Sequence, residues 1–84
     1  MFEIVLDEEA IDFLNTLEKP LKERIFNKIM ATSEDPLHFF ERLVERSDYK
    51  LRVGDYRVIA DINLSTKRIE VTKIGHRKNV YKQL

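Results

Sequence analysis

The nine residues Tyr49-Lys-Leu-Arg-Val-Gly-Asp-Tyr-Arg57 contain the pattern that decides the fold. Apolar and basic residues alternate on both sides of Gly54-Asp55, which is typical of two antiparallel strands joined by a two-residue type II′ turn. In such a hairpin Val53 pairs with Tyr56, and the flanking residues pair outward in register. The stretch therefore predicts a β-hairpin in which every second side chain faces the same side of a sheet.

This register separates an apolar side from a basic side. Leu51 opposes Val58 on the apolar side, whereas Arg52 opposes Arg57 on the basic side and Lys50 lies one pair further along. Like charges directly across two strands are unfavourable by roughly 0.2–1 kcal/mol per pair. Lysine and arginine suit phosphate, so we interpret the cluster as an anion site. A solvated strand surface that keeps the sheet soluble is the alternative.

Length and composition limit the possible classes of protein. With 84 residues the chain is expected to form one domain, residues 1–84, with one modest core. It contains no cysteine and only two histidines, without metal-ligand spacing, so neither a disulfide nor a zinc site is expected. No apolar run approaches the roughly 20 residues of a membrane span, and the amino terminus does not resemble a signal peptide. We expect a soluble, cytoplasmic protein without a membrane partner.

The formal net charge of zero conceals an asymmetry along the chain. Residues 1–45 carry 11 acidic and 5 basic side chains, whereas residues 46–84 carry 4 acidic and 10 basic ones. The carboxyl half is therefore predicted to form the electropositive working surface, and the amino half its solvated support.

Periodicity along the chain predicts the order β-α-α-β-β-β. A short strand at residues 2–6 precedes a helix that Asp7 can cap, and Pro20 fits the first turn of a second helix ending near Thr32. Ser33-Glu-Asp-Pro36 is predicted to be a loop, and the stretch after it, with Phe39, Phe40, Leu43 and Val44, is compatible with irregular backbone or a short helical turn. The late strands should form an antiparallel meander, with a helix hairpin on one face and a short turn or helix at the carboxyl end, giving an α+β fold.

The predicted register assigns side chains to the two faces of the sheet. The face covered by helices is expected to hold Leu51, Val53, Val58, Ala60, Ile62, Ile69 and Val71, and the open face Lys50, Arg52, Arg57, Ile59, Ile74 and His76. Arg77 has the wrong parity for the open face. A bulge at Gly75, or a turn where the strand ends, would bring it there.

The segments Leu51-Arg-Val-Gly-Asp-Tyr-Arg57 and Ile74-Gly-His-Arg-Lys-Asn-Val-Tyr81, with the element order and chain length, resemble the RelE/ParE superfamily of toxins from toxin–antitoxin pairs. The chain looks most similar to the RelE branch. That resemblance implies a RelE-like fold and a ribosome-dependent endoribonuclease that cuts mRNA in the A site without a metal or cofactor. It also implies a RelB-like antitoxin as partner, together with the ribosome and mRNA.

The resemblance also implies residue roles. It assigns catalysis to Lys50, Arg57, Arg77 and Tyr81, and RNA contacts to Arg46, Arg52, His76 and Lys78. The family often has a second lysine in the first hairpin strand, at the position that Asp48 occupies here. Arg46 or Arg52 is the expected substitute.

Metal-independent RNA cleavage needs a base near the 2′-hydroxyl and cations on the phosphate. Adjacent arginines would disfavour the ammonium form of Lys50 and suit it to act as the base, although a permanently charged Lys50 could instead track phosphates. Arg57 and Arg77 suit the phosphorane charge, with salt bridges to nearby carboxylates as the alternative. Tyr81 could stack on a base, transfer a proton or pack on the sheet, and His76 could act in acid–base chemistry or only cap a strand end.

Two other functions fit the same fold. The ParE branch inhibits DNA gyrase without enzymatic activity and shares the hairpin signature. A degenerate toxin retained for complex formation is the third reading. Cleaved transcripts would favour the nuclease, whereas trapped gyrase with intact messages would favour the inhibitor.

Overall fold

The computed structural model describes residues 1–83 of the chain. The elements in chain order are β1 (Glu3–Leu6), α1 (Glu8–Leu14), α2 (Lys19–Ala31), α3 (Pro36–Phe39), β2 (Glu41–Arg42), β3 (Tyr49–Val53), β4 (Tyr56–Asn63), β5 (Arg68–His76) and a 3-10 turn (Val80–Gln83). The predicted α+β order is confirmed, with two short elements added before the hairpin: α3, which begins at Pro36 of the predicted loop, and β2. Leu84, the last residue of the predicted tail, lies outside the described residues.

Five strands form one mixed sheet in the order β1-β5-β4-β3-β2. β3, β4 and β5 form the predicted antiparallel meander, and β2 adds to the β3 edge in antiparallel orientation. β1 pairs with β5 in parallel, with Ile4 opposite Ile69. The sheet is therefore mainly antiparallel, as predicted, and the pairing of β1 with β5 is its one parallel pairing among the described residues.

The starts of α1 and α2 and the end of α2 agree with the sequence pattern, whereas α1 ends at Leu14, before Leu17, the last residue of its apolar spacing. Asp7 occupies the N-cap position of α1 in extended conformation, but its side chain makes no capping hydrogen bond. Glu8 and Glu9 lie in the first turn, where acidic side chains are favoured. Pro20 lies in the first turn of α2, and Thr32 is its C-cap. Both helices bury one apolar side, including Leu14 of α1 and Ile25 of α2, against the sheet.

The core lies between the helices and one face of the sheet. Its buried members include the side chains predicted for that face, namely Leu51, Val53, Val58, Ala60, Ile69 and Val71, with Ile62 partly buried against them. Fully burying a large aliphatic side chain contributes about 1.5–3 kcal/mol. Burial of this layer therefore stabilises the fold, and it leaves the opposite face of the sheet for function.

The pairing of β4 with β5 contains a bulge. Ala60 pairs with Val71 and Ile59 with Lys73, so Thr72 has no partner residue. Its hydroxyl donates a hydrogen bond to the carbonyl oxygen of Ile59 at 3.3 Å. One extra residue inverts the parity of the rest of β5.

Because of this inversion, the predicted position of Ile74 on the open face is wrong. This residue pairs with Val58 and is buried in the core beneath the helices, not on the open face. The predicted device, a bulge, is present, but it lies at Thr72 and not at Gly75.

The carboxyl-terminal turn covers part of the face opposite the helices. Gly75 pairs with Arg57, and a Cβ atom on Gly75 would lie 3.2 Å from Cβ of Val80. Val80 is only 2% exposed, and Ile59 is also buried although it lies outside the core cluster. The second face is thus only partly open, and the turn brings Tyr81 toward it.

Within residues 1–83, none of the helices combines the length and the apolar character that a bilayer crossing requires.

Candidate functional site: a basic surface beside the β3–β4 hairpin

The β3–β4 turn sets the geometry of the site. Gly54 has φ +57°, whereas Asp55 is not among the residues with positive φ, which is the pattern of a type II′ turn. Arg52 and Arg57 lie opposite each other, as predicted. The Arg24 side chain reaches the turn from α2, because a Cβ atom on Gly54 would lie 3.3 Å from its Nη1 atom.

Arg57 is held in one orientation by the hairpin itself. Its Nη1 atom donates to the carbonyl oxygens of Gly54 and Tyr56, both at 2.8 Å, and the residue is 9% exposed. Within the described residues its Nε and Nη2 atoms have no hydrogen-bond partner. The guanidinium is therefore oriented in advance and retains donors for a bound anion.

Lys50, Arg52 and Arg57 share a narrow cleft of about 100 Å³. Phe39 of α3 and Glu41 of β2 complete its lining. Glu41 pairs with Lys50 in the sheet, and its Oε2 atom lies 3.9 Å from Nζ of Lys50. The cleft thus combines three cations, one carboxylate and one aromatic ring.

Tyr81 lies beside a second depression that adjoins the cleft. Its lining consists of Arg42, Leu43, Val44, Arg46, Lys50 and Tyr81, with a volume of about 470 Å³. Lys50 contributes to both depressions. The 39% exposed Tyr81 ring is therefore available to a ligand that extends from the cleft past Lys50.

Arg77 lies at the turn end of the surface and faces Asp55. Its backbone N–H donates to the Asp55 carbonyl oxygen at 2.8 Å, and its Nε atom lies 3.6 Å from Oδ1 of Asp55. Gly75 shares a face with Arg57, so Arg77, two residues later, has the parity of the basic surface. Lys78 follows as an exposed side chain.

His76 does not lie on this surface, which corrects the predicted position. It pairs with Tyr56 on the helix side of the sheet, and the two rings make an edge contact at 5.5 Å. Its Nδ1 atom accepts a hydrogen bond from the backbone N–H of Lys78 at 3.2 Å. The physical reason is the bulge at Thr72, which exchanges the faces of His76 and Arg77.

Arg46 is committed to Asp48. Its Nε and Nη2 atoms donate to the two carboxylate oxygens of Asp48 at 2.9 and 3.0 Å. These hydrogen bonds and the guanidinium charge lower the pKa of the largely buried Asp48 carboxyl below its ordinary value. Arg46 therefore balances Asp48 rather than adding a free cation, whereas Arg52 has no ion-pair partner within residues 1–83.

The other end of the same face is acidic. Asp61 pairs with Glu70, and the adjacent carboxyl of Asp7 raises the pKa of Glu70, first through a shared hydrogen bond and then through its charge. Within residues 1–83, no three His, Asp or Glu side chains are grouped so that they could hold a metal ion. The face is therefore polarised, with cations near the β3–β4 turn and carboxylates near the end of β1.

Sequence reasoning did not identify Glu41, Phe39 or Arg24 as parts of this surface. Glu41 and Phe39 belong to a two-residue strand and a four-residue helix, which are too short to produce a periodic signal. Arg24 lies on an exposed helix face, where one cation is unremarkable. Only the tertiary packing of α2 against the hairpin brings it to Gly54.

The family described as "ParE toxin of type II toxin-antitoxin system, parDE" matches the chain over residues 4–81. The chain belongs to this toxin family. The resemblance of the hairpin and carboxyl-terminal segments to the RelE/ParE superfamily is thereby confirmed, and the protein is the toxin component of a type II toxin–antitoxin pair. No curated protein matches the toxin by sequence.

Solved structures share the fold of the toxin. The RelBE2 toxin–antitoxin complex of Mycobacterium tuberculosis contains a chain with TM-score 0.83 and 18% identity, covering 90% of the toxin and 98% of that chain. The archaeal RelE-RelB complex of Pyrococcus horikoshii gives TM-score 0.76 and 22% identity, with coverage of 94% and 98%. A YoeB/ParE toxin from Agrobacterium tumefaciens gives 0.73 and 18%, with coverage of 89% and 98%. The RelE-like fold predicted from the sequence is therefore confirmed.

Proposed function

We propose that this toxin is a ribosome-dependent endoribonuclease that cuts mRNA in the ribosomal A site. The observation that carries the proposal is the shared cleft of Lys50, Arg52 and Arg57, with Tyr81 at the adjoining depression. Three cations in one narrow cleft suit a phosphodiester, and an aromatic ring one step away suits the neighbouring base.

The proposed reaction is attack by a 2′-hydroxyl on the adjacent phosphate. The 2′-oxygen bonds to phosphorus, the bond to the 5′-oxygen breaks, and the products carry a cyclic phosphate and a free 5′-hydroxyl. Arg57 offers the donors that the hairpin carbonyls leave free, and Arg77 adds charge from the turn. These groups would stabilise the negative charge that develops on the phosphorane.

Proton transfer falls to the pair formed by Lys50 and Glu41. Arginine does not release its proton at physiological pH, so these are the two groups of the cleft lining that can exchange one with the RNA. One would accept the 2′-hydroxyl proton, and the other would donate to the leaving 5′-oxygen. Their separation of 3.9 Å exceeds a hydrogen bond, so a water molecule between them would have to carry the proton back after each cycle.

The antitoxin is proposed to cover the same basic surface. A free nuclease of this kind would be lethal, and the RelBE complexes contain toxins of this fold bound to antitoxins. A RelB-like segment with acidic side chains would complement Lys50, Arg52 and Arg77 and block RNA at the same time.

The test is 5′-end mapping of transcripts in a translation extract, with and without ribosomes. We expect cuts in phase with codons only when ribosomes are present, and we expect Arg57→Ala and Arg77→Ala to reduce them. Arg68→Ala is the matched control, because Arg68 is an exposed arginine at the opposite end of β5. Intact messages with the natural toxin would exclude the nuclease.

Inhibition of DNA gyrase is the second candidate function. The matching family is described as ParE, and the carboxylates of Glu41, Asp48 and Asp55 lower the positive charge around the cleft. A gyrase supercoiling assay separates the two candidates: loss of supercoiling with intact messages favours the inhibitor, whereas cleavage with normal supercoiling favours the nuclease.

A further inference from the structure

The cations around the cleft differ in how they are balanced. Arg57 donates to uncharged carbonyls, and Arg52 has no ion-pair partner within residues 1–83. Arg77, by contrast, faces the carboxylate of Asp55 at 3.6 Å. A phosphate that binds Arg77 must therefore compete with the carboxylate of Asp55.

The backbone fixes this competition. Asp55 is the second residue of the type II′ turn, and its carbonyl oxygen accepts the N–H of Arg77 at 2.8 Å. This hydrogen bond fixes the backbones of Asp55 and Arg77 next to each other, so their charged groups remain neighbours in any rotamer. Both remain more than half exposed, at 52% for Arg77 and 68% for Asp55.

An exposed pair of this kind contributes little to folding, about 0–1 kcal/mol. Its larger effect falls on binding, because RNA affinity depends on how many phosphates the protein neutralises. The Asp55 carboxylate repels a phosphate and competes with it for Arg77, so it weakens this contact for RNA whose backbone is only loosely placed. A phosphate held in the right position can form two charge-assisted hydrogen bonds to the guanidinium, which are stronger than a single contact at 3.6 Å.

We propose that Asp55 is a specificity-determining residue whose carboxylate acts as an internal counter-charge on Arg77 and weakens binding of unpositioned RNA. The inference rests on the proposed function, since it assumes that the basic surface receives RNA. It adds a reason for selectivity: the surface binds an RNA whose phosphate is presented in fixed geometry better than it binds free single strands.

The experiment measures the affinity of the intact toxin for a 2′-O-methyl oligouridine of about 12 nucleotides, which cannot be cleaved, between about 50 and 200 mM salt. Asp55→Asn retains a residue favoured in turns and removes the charge. We expect severalfold tighter binding, with a salt dependence steeper by about 0.7 in log–log slope, the value for one additional phosphate contact on a single strand.

Two further variants isolate the contact. Asp12→Asn makes the same chemical change and the same change in net charge on an exposed site of α1, and it should leave the affinity unaltered. The double variant Asp55→Asn with Arg77→Ala should lose the gain, because the freed cation is absent. Thermal unfolding of each variant shows whether the hairpin is intact.

Equal affinities for the natural toxin and Asp55→Asn would overturn the inference, as would a gain that persists without Arg77. If ribosomal cleavage occurs while Asp55→Asn has no effect on oligouridine binding, only the counter-charge is wrong. If no variant binds RNA and no message is cut, both proposals are wrong.

Discussion

Two backbone carbonyls hold one nitrogen of Arg57, which makes this side chain part of the hairpin as well as of the cleft. An arginine loses up to about 2 kcal/mol of rotamer freedom when it is fixed, and here the fold imposes that loss before any ligand binds. Lysine has no planar fork and cannot bond both carbonyls while presenting further donors in the same direction. The site thus depends on the shape of the guanidinium as well as its charge.

Replacement of Arg57 by lysine tests this dependence. We expect Arg57→Lys to lower the single-turnover rate of mRNA cleavage on ribosomes nearly as far as Arg57→Ala, by about 10²–10³-fold, the usual effect of removing one donor that stabilises a developing charge. Arg68→Lys is the control. A rate for Arg57→Lys close to that of the natural toxin would show that charge alone is sufficient.

Glu41 offers a second test at the residue scale. Glu41→Gln preserves the shape of the side chain and removes its ability to accept a proton, so we expect a rate loss of about 10²–10⁴-fold if Glu41 is the base. Glu45→Gln, on a neighbouring exposed residue, should have no effect. Normal cleavage by Glu41→Gln, with loss in Lys50→Met, would assign proton acceptance to Lys50.

At the scale of elements, the hairpin could be predicted in detail because local chemistry dictates it. Gly54-Asp55 fixes the turn, the turn fixes the register, and the register places Lys50, Arg52 and Arg57 on one face. Position 72 gave no such signal, because a bulge at a threonine reflects how β5 fits between β1 and β4. The consequence was an error for Ile74 and His76 that no local pattern would have prevented.

Gly54→Ala measures how strongly the turn stabilises the hairpin. At φ +57° an alanine costs about 1–2 kcal/mol, and its Cβ atom would also approach the flexible end of Arg24. We expect the free energy of unfolding in denaturant to fall by that amount. Gly54→Asn should lose less, because asparagine tolerates the left-handed region. An unchanged stability for Gly54→Ala would mean that the turn can adopt another geometry.

The contact between β5 and the start of α1 predicts a pH dependence. Because Asp7 raises the folded-state pKa of Glu70, the protonated form stabilises the fold at low pH, and this contribution is lost as pH rises through the raised pKa. Glu70→Gln stays neutral, so it should be more stable than the natural toxin at neutral pH and equal to it below about pH 4. Glu34→Gln, on an exposed loop, should show no such divergence in unfolding experiments.

For the whole molecule, the charge asymmetry between the two halves of the chain only partly predicts the surface. Basic residues do gather at the hairpin, but tertiary structure adds Glu41 from the acidic half and separates Arg46 by pairing it with Asp48. Counts of charged residues along a sequence therefore predict whether a surface region is positive or negative overall. Which cations remain available depends on partners that only the fold brings together.

Stability should depend strongly on the sheet centre. Ile69 is fully buried and pairs with Ile4 on one side and Ile62 on the other. We expect Ile69→Ala to lower the free energy of unfolding by about 2–5 kcal/mol, a large share of the about 5–15 kcal/mol typical of a domain. Leu64→Ala, in an exposed turn, should change it by less than about 0.5 kcal/mol. Denaturant titration of both variants checks this, and a loss below about 1 kcal/mol for Ile69→Ala would contradict it.

The unpaired Thr72 makes the carboxyl end of β5 sensitive to deletions as well as to substitutions. Loss of that one codon would leave every downstream amino acid unchanged and yet exchange inside for outside, turning His76 toward the cleft and Arg77 toward the helices. A three-nucleotide deletion would thus remove Arg77 from the basic surface, although the codon for Arg77 itself is intact.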